Sequence, residues 1–329
     1  MYNQKILVTG GAGFIGSELV RQLVSRGNYV TVVDNLVNGK AQNLNNIENC
    51  HLIKADIRDL ETMRIVLAGQ EIVFHLACMG VRHSLHSPME NHEVNASATL
   101  QLLQLAKDAG IKRFLHCSSS EVYGTAKWTP MTEDHPTLPM TVYGASKLAG
   151  ECYARAYFQT SGFPVTIVRP FNSYGPRSHH EGDSGEVIPK FILRSLCGKP
   201  MIIFGDGTQT RDFTYVSDTA AGIVQAAASP AAVGMTLNLG SCHETTISEL
   251  AETVRKITNR PTAAIVYDSP RPGDVLRLFA DSSKAEKLIG FRPTTSLEQG
   301  LTKLLAWYRE TGEPPESLLV REKERNWEI

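Results

Sequence analysis

Lys5-Ile6-Leu7-Val8-Thr9-Gly10-Gly11-Ala12-Gly13-Phe14-Ile15-Gly16 opens the chain with a strand-like run that meets a cluster of glycines and passes directly into helical spacing. Strand, glycine turn and helix in that order are the setting a dinucleotide fingerprint requires. Of Gly10, Gly13 and Gly16, one permits the tight turn, one lets backbone approach a pyrophosphate and one allows close packing of helix on strand. The helix start then offers free N–H groups and a partial positive charge to phosphate.

Outward from this stretch, β-branched runs alternate with helical spacing. Strands are expected at Lys5 to Thr9, Val30 to Asp34, His51 to Ala55, Ile72 to His75, Phe114 to Ser118 and Val165 to Arg169. Helices are expected at Phe14 to Arg26, Asp59 to Leu67, His92 to Ala109 and Tyr143 to Thr160. The alternation predicts an α/β fold, a Rossmann-type doubly wound parallel sheet. After Arg169-Pro170 the rhythm changes to loops rich in Gly, Pro, Ser and His, which predicts a smaller C-terminal α/β domain. The expected division is 1–171, rejoined by about 215–240, against 172–214 and 241–329. The charged end, Arg321 to Ile329, reads as frayed.

The 33 Lys and Arg balance 34 Asp and Glu, so no global field exists to hold nucleic acid or an anionic membrane surface. The six cysteines are scattered without metal-ligand spacing and read as buried hydrophobes in a reducing compartment. No leader pattern opens the chain and no stretch is apolar enough to span a bilayer, so the cytoplasm is expected.

Asp34 ends the second strand, where an acidic residue accepts hydrogen bonds from the adenosine ribose. A carboxylate there repels a 2′-phosphate, which favours NAD over NADP. Asp56 is read either as a partner of the adenine amino group or as an N-cap for the helix near Asp59.

Tyr143 and Lys147 stand one helical turn apart and project from one face. A phenol titrating near about pH 10 is a poor base at neutral pH, and an adjacent Lys⁺ with a nicotinamide cation lowers its pKa. Ser119 follows the fifth strand, where open α/β sheets bind their ligands, and its hydroxyl can relay a proton to Tyr143.

With fingerprint, Asp34, Ser119 and Tyr143/Lys147 in this order, the chain resembles the extended short-chain dehydrogenase/reductases, specifically the nucleotide-sugar epimerase/dehydratase family. Further matching motifs are His75-Leu76-Ala77, Arg169-Pro170-Phe171-Asn172, Tyr174-Gly175-Pro176-Arg177, Gly205-Asp206-Gly207, Arg211-Asp212-Phe213 and Arg271-Pro272-Gly273-Asp274. The resemblance implies an NAD site completed by Phe14, Ile15, Asn35, Ile57, Leu76 and Ala77. It implies a UDP-sugar site drawn from Arg82, Ser120, Asn172, Arg177, Val187, Arg211, Arg271 and Asp274. Two phosphates need fixed cations, and arginine offers a planar fork of donors. His179 and His180 read as loop residues near the substrate, because nothing nearby completes a metal set.

The implied first step is shared across the family: Tyr143 removes the proton of the 4-hydroxyl while carbon 4 passes a hydride to NAD⁺. Return of the hydride to the other face makes a 4-epimerase; loss of water makes a 4,6-dehydratase; loss of CO₂ from a uronate makes a decarboxylase. Dehydratases of the dTDP-glucose type carry an Asp-Glu pair where this chain has Ser120-Glu121. Ser-Glu also resembles UDP-glucuronate decarboxylases, so Glu121 is read as a base or as a structural hydrogen-bonding partner. The Met79-Gly80-Val81-Arg82-His83-Ser84 loop and Tyr143-Gly144 resemble 4-epimerases. Arg82 or Arg177 could pair with a carboxylate at carbon 6. A 4-epimerase is the favoured reading, and a non-catalytic sugar-nucleotide regulator is disfavoured by the intact Ser119, Tyr143 and Lys147. Leu100, Leu102, Leu103 and Leu105 exceed what one buried face needs, which predicts a homodimer through helices 92–109 and 143–160.

Overall fold

The computed structural model describes residues 1–271 and 273–328; Pro272, and with it one residue of the 271–274 motif, lies outside the described residues, as does Ile329. The opening run forms β1 (Lys5–Thr9), followed by β2 (Tyr29–Asp34), β3 (Cys50–Lys54), β4 (Ile72–His75), β5 (Arg113–Cys117) and β6 (Val165–Pro170). Strands β7 (Asn172–Tyr174), β8 (Met201–Phe204) and β9 (Thr210–Tyr215) leave this sheet, and β10 (Thr236–Leu239) returns to it. The result is a seven-stranded parallel sheet in the order β10-β6-β5-β4-β1-β2-β3. Its strand order reverses beside β1, where β4 pairs on one side and β2 on the other, and ligands bind such sheets at that crevice.

Both faces of the sheet are covered because the strands are apolar on both. Ile6 and Val8 pack with α1 (Phe14–Val24), through Leu19, Val20 and Leu23. Leu7, pointing the other way, packs with α2 (Leu60–Leu67), through Met63, Val66 and Leu67. That two-residue alternation within one strand is what makes the sheet doubly wound.

The helical stretch expected at 92–109 is interrupted. Short helices α3 (Val81–His86) and α4 (Pro88–His92) lead into one π-helical turn (Glu93–Ser97), and only then does α5 (Ala98–Asp108) run regularly. Asn91 and Asn95 account for the position of this break. The Asn95 amide accepts from the Met79 N–H and donates to the Met79 carbonyl, while Asn91 donates to the carbonyls of Met79 and Gly80. Ser146 of α6 (Val142–Ser161) donates to Asn91 and ties the loop to the next helix. Apolar periodicity cannot register one extra residue in a turn, and π-turns of this kind concentrate at functional sites.

Leu102 and Leu103 are consumed by the protein's own core, leaving Leu100 exposed and Leu105 half-buried, so the leucine excess anticipated on α5 is smaller than its sequence suggests.

Helices α7 (Val187–Leu196), α8 (Val216–Ala228), α9 (Ile247–Ile257), α10 (Ser283–Ile289), α11 (Leu297–Glu310) and α12 (Pro315–Leu319) complete the chain with β11 (Glu244–Thr246) and β12 (Ile265–Asp268). α8 lies with α1 on the large sheet. α7, α9 and α11 share a separate apolar core with β8 and β9. Strands β11, β9 and β7 make a three-stranded sheet, and β12 pairs with β8. The charged end is not frayed: Arg194 binds Glu322 at 2.8 Å and Glu324 at 2.9 Å, and Asn326 is buried. Acidic side chains that look solvated in sequence are ion-pair partners of α7. No helix among the described residues is long and apolar enough to cross a membrane.

Candidate active site

A cleft of about 770 Å³ opens at the C-terminal ends of β1, β4, β5 and β6 and extends toward β8, β9 and α7. Gly10, which follows β1 with φ +72°, faces the residues just after β4: a β-carbon there would lie 2.6 Å from the backbone nitrogen of Ala77. A β-carbon on Gly16 would collide with the Gly10 carbonyl. The turn is thus folded tightly against itself and against Leu76-Ala77, which also line the cleft.

Gly13 caps α1 without any side-chain hydrogen bond, and among the described residues nothing accepts from the amides of Phe14, Ile15 and Gly16. Unpaired N–H groups at a helix start facing a cleft are a seat for phosphate. Asp34 sits beside this turn, 7 % exposed, accepting from the amides of Ala12 at 3.0 Å and Leu36 at 2.9 Å. Desolvation raises its pKa, against the lowering effect of those two amides.

Asp59, not Asp56, caps α2, accepting from the Thr62 amide, which removes the capping alternative for Asp56. Asp56 lines the cleft with Asn35 and Ile57. The guanidinium of Arg58, which donates to both carboxylate oxygens, is the main influence holding the Asp56 carboxyl down at about 2, and Asn35 donates to Oδ2 as well at 3.1 Å.

Ser119, Tyr143 and Lys147 meet in the middle of the cleft. Ser119 starts a one-turn 3₁₀ segment (Ser120–Val122), and its hydroxyl oxygen accepts from the Glu121 amide at 3.2 Å, which leaves its proton free to donate. Gly144 lets α6 come this close, since a β-carbon there would lie 2.6 Å from the Glu121 carbonyl oxygen. The requirement for glycine after Tyr143 is therefore steric.

Lys147, 3 % exposed, donates to the Cys117 carbonyl at 2.8 Å, which fixes its charge at the end of β5. Desolvation pushes the Tyr143 phenol well above its ordinary value, Cys78, Cys117 and Glu121 add to this, and the Ser119 hydroxyl opposes it. The expected lowering of the phenol by Lys147 is not among the main influences on it, and a nicotinamide cation, if bound in the cleft, would act in the lowering direction.

At the far end, Arg82, Arg211 and Arg271 converge on the cleft, with Ser120, Asn172, Val187 and Asp274 in its wall. Arg211 is anchored by the carbonyls of Thr210 and Val275 and by Asp274 at 2.7 Å. Its neighbour Asp212 is structural, accepting from Ser241, Cys242 and Ala280 to clamp the turn after β10. Burial, with repulsion from Arg82 and Arg211, lowers Arg271 to about 10. The Oδ1 of Asn172 is buried without a partner among the described residues. Together these groups suit a dianion and a polar ring.

Arg177 does not join this set. It binds Ser17 and Glu18 of α1 at 3.0 and 2.6 Å and lies outside the cleft wall, so it is unavailable to a sugar carboxylate. Of the histidine pair, His179 lines the cleft and pairs with Glu181, while His180 packs edge-on to Tyr308. No group of metal-binding geometry occurs among the described residues.

Glu186, at the N-terminal cap of α7, was not anticipated. Desolvation raises its carboxyl to about 7, against attraction from His179 and Arg82. Only an acidic residue directly before an apolar helix marked it in sequence. Glu121 is also raised by desolvation, with Arg211 and Arg82 opposing.

The profile of the GDP-mannose 4,6 dehydratase family matches residues 7–304. A putative UDP-glucose 4-epimerase of Methanocaldococcus jannaschii is 37% identical over 308 residues, covering 92% of this chain and 98% of the relative. A UDP-N-acetyl-alpha-D-glucosaminuronate decarboxylase of Bacillus cytotoxicus is 36% identical over 323 residues, covering 93% of this chain and 98% of the relative. The structure of a UDP-glucuronic acid 4-epimerase from Bacillus cereus, in complex with UDP-glucuronic acid and NAD, superposes with TM-score 0.87 at 33% identity, covering 93% of this chain and 99% of that one. Glycine turn, Ser-Tyr-Lys centre and arginine end all lie within the matched length, and the chain belongs to the GDP-mannose 4,6 dehydratase family, whose matched relatives include nucleotide-sugar epimerases and decarboxylases.

Proposed function

We propose that the protein is an NAD-dependent 4-epimerase of a UDP-sugar. The observation that carries this reading is the single cleft in which the uncapped α1 amides, the Ser119-Tyr143-Lys147 centre and three arginines follow one another. The amides of Phe14, Ile15 and Gly16 would hold the pyrophosphate of NAD, and Asp34 would accept from its ribose. When bound, NAD⁺ takes a hydride from carbon 4 and gives it back, and its cationic ring favours the Tyr143 phenolate. Tyr143 removes the 4-hydroxyl proton and later restores it. Ser119 orients that hydroxyl and passes the proton, while Lys147 fixes a positive charge behind the phenol. Arg82, Arg211 and Arg271 hold the diphosphate, and Asn172 meets the nucleotide sugar with its free carbonyl oxygen.

Dehydration needs an acid for the leaving hydroxyl and a separate base at carbon 5. Ser120 supplies no such acid, and Glu121 alone cannot do both at once, which supports epimerisation. The Ser-Glu sequence and the decarboxylase relative keep loss of CO₂ as the second reading, in which Arg82 would face a sugar carboxylate instead of the diphosphate. We further read the part around the seven-stranded sheet as the cofactor domain and the part around α7, α9 and α11 as the sugar-nucleotide domain. A homodimer through α5 and α6 fits the exposed Leu100 and is tested by light scattering at micromolar concentration, where a monomer refutes it. A cytoplasmic setting accords with six unpaired cysteines.

Incubation with UDP-glucose, UDP-N-acetylglucosamine and UDP-glucuronate in deuterated water tests the reaction. Inversion at carbon 4 at constant mass, without carbon-bound deuterium, is expected. Loss of water with label at carbon 5, or loss of CO₂, on the best substrate would reject the assignment.

A further inference from the structure

Two of the three cleft arginines are held by the last residues of the chain. The Asn326 amide is 2 % exposed and bridges two segments: its Nδ2 donates to the carbonyls of Asp183 at 3.1 Å and Gly185 at 2.9 Å, and its Oδ1 accepts from the Arg82 Nε at 3.2 Å. Two carbonyls on the nitrogen side fix the amide orientation, so its oxygen faces the guanidinium. Among the described residues this is the only hydrogen bond the Arg82 side chain makes. The next residue, Trp327, stands edge-on to Phe204 with ring centroids 4.5 Å apart. The Arg271 guanidinium lies over both rings, 5.3 Å from Phe204 and 5.5 Å from Trp327, and its Nε is buried without a partner.

The tail that delivers these residues is anchored. Besides the Arg194 pairs with Glu322 and Glu324, Lys190 donates to the Lys323 carbonyl at 2.7 Å and Arg325 binds Asp268 at 2.8 Å. Arg82, Arg271 and Phe204 line the cleft, whereas Asn326 and Trp327 stand behind them.

The chemistry of the partners gives the arrangement its meaning. Arg169 and Arg177 are each paired with a carboxylate, Glu151 and Glu18, and those charges are neutralised. Arg82 and Arg271 are instead held by a neutral amide and an aromatic face, which fix a guanidinium without cancelling its charge. Asp274 attracts both from beyond ion-pair distance, and two fixed cations with no directly bound carboxylate among the described residues, converging on one cleft, suit an incoming dianion, whose binding loses less when the cations need no reordering.

We propose that Asn326 and Trp327 are positioning residues of the nucleotide-sugar site, holding Arg82 and Arg271 ready for the diphosphate of the ligand. This rests on the UDP-sugar reading above.

The test is calorimetric titration of UDP into the NAD-loaded protein and into its Asn326→Ala, Trp327→Leu and Trp327→Phe variants, with NAD affinity and thermal unfolding measured in parallel. Asn326→Ala and Trp327→Leu should each weaken UDP by about tenfold, the scale of one interaction with a charged group, at unchanged NAD affinity. Trp327→Phe keeps a ring under Arg271, folds most conservatively and should stay within about threefold of the unaltered protein. UDP affinity within twofold in both Asn326→Ala and Trp327→Leu, or a loss in Trp327→Phe equal to that in Trp327→Leu, overturns the inference while leaving the functional reading intact. An unaltered protein that binds NAD but no UDP rejects the functional reading itself, and the inference with it.

Discussion

At the cofactor end of the cleft the working groups are backbone amides of one short turn, Phe14, Ile15 and Gly16, and one carboxylate, Asp34. At the sugar end they are side chains delivered by α3, β9 and the segment before Gly273, and steadied by the last residues of the chain. A backbone site depends on what its glycines lack, whereas a side-chain site depends on how distant segments pack. The first should therefore fail abruptly at a single added methyl, and the second should yield by degrees as supports are removed one at a time.

The junction between the two ends carries the largest expected effect. Tyr143→Phe removes the proton acceptor and leaves both ends untouched, so turnover should fall by about a hundredfold or more, the usual worth of a positioned base, with UDP and NAD affinities nearly unchanged. Steady-state turnover near that of the unaltered enzyme would show that the chemistry lies elsewhere. Next comes Gly16→Ala. Its β-carbon meets the Gly10 carbonyl, a backbone atom that cannot swing away, so NAD binding should weaken by about a hundredfold in fluorescence titration. Retained NAD affinity would break the contrast, because the turn would then be as forgiving as the arginine end.

A smaller effect is expected where the cofactor end does rely on a side chain. Asp34→Asn keeps an acceptor for only one of the Ala12 and Leu36 amides, turns a donor toward the other and drops the charge that repels a 2′-phosphate. The preference for NAD over NADP should shrink by about tenfold in parallel titrations. An unaltered preference would assign the discrimination to other groups.

The same contrast explains what could be read without a structure. Alternating apolar runs give β1 to β6 to within a residue, because a parallel sheet buried on both faces leaves its record in consecutive residues. The glycine turn and the pairing of Tyr143 with Lys147 are equally local. Segments that act through remote contacts left no such record. Arg177 stands in a matching motif yet turns to Glu18, the π-turn at Glu93–Ser97 depends on asparagines that grip Met79, and the charged tail looks like fraying until Arg194 and Arg82 meet it. Glu186 is a surface-type residue by composition and becomes unusual only when α7 and the cleft wall desolvate it.

Glu186 also gives the mildest test of the sugar end, read as stability instead of turnover. Its carboxyl stands at about 7 against an ordinary 4.5, so the folded protein holds this proton more tightly than the unfolded chain. Below the unfolded value both states are protonated and nothing is lost; between about 4.5 and about 7 the unfolded chain ionises while the folded protein keeps its proton, so stability declines, and above 7 the loss levels off. His179, Glu181 and Arg82 surround the group, and the attraction of His179 and Arg82 only partly offsets the desolvation. Glu186→Gln keeps the shape and removes the ionisation. Its Tm should match the unaltered protein at pH 4 and exceed it by about 2–4 °C at pH 8. Equal unfolding temperatures at both values would mean that the carboxylate is already solvated or fully paired at the cleft wall. The reverse order, a variant less stable at pH 8, would mean that the ionised Glu186 is a net anchor for His179 and Arg82, and the sugar end would then be held by charge pairing like Arg177 and not by neutral supports.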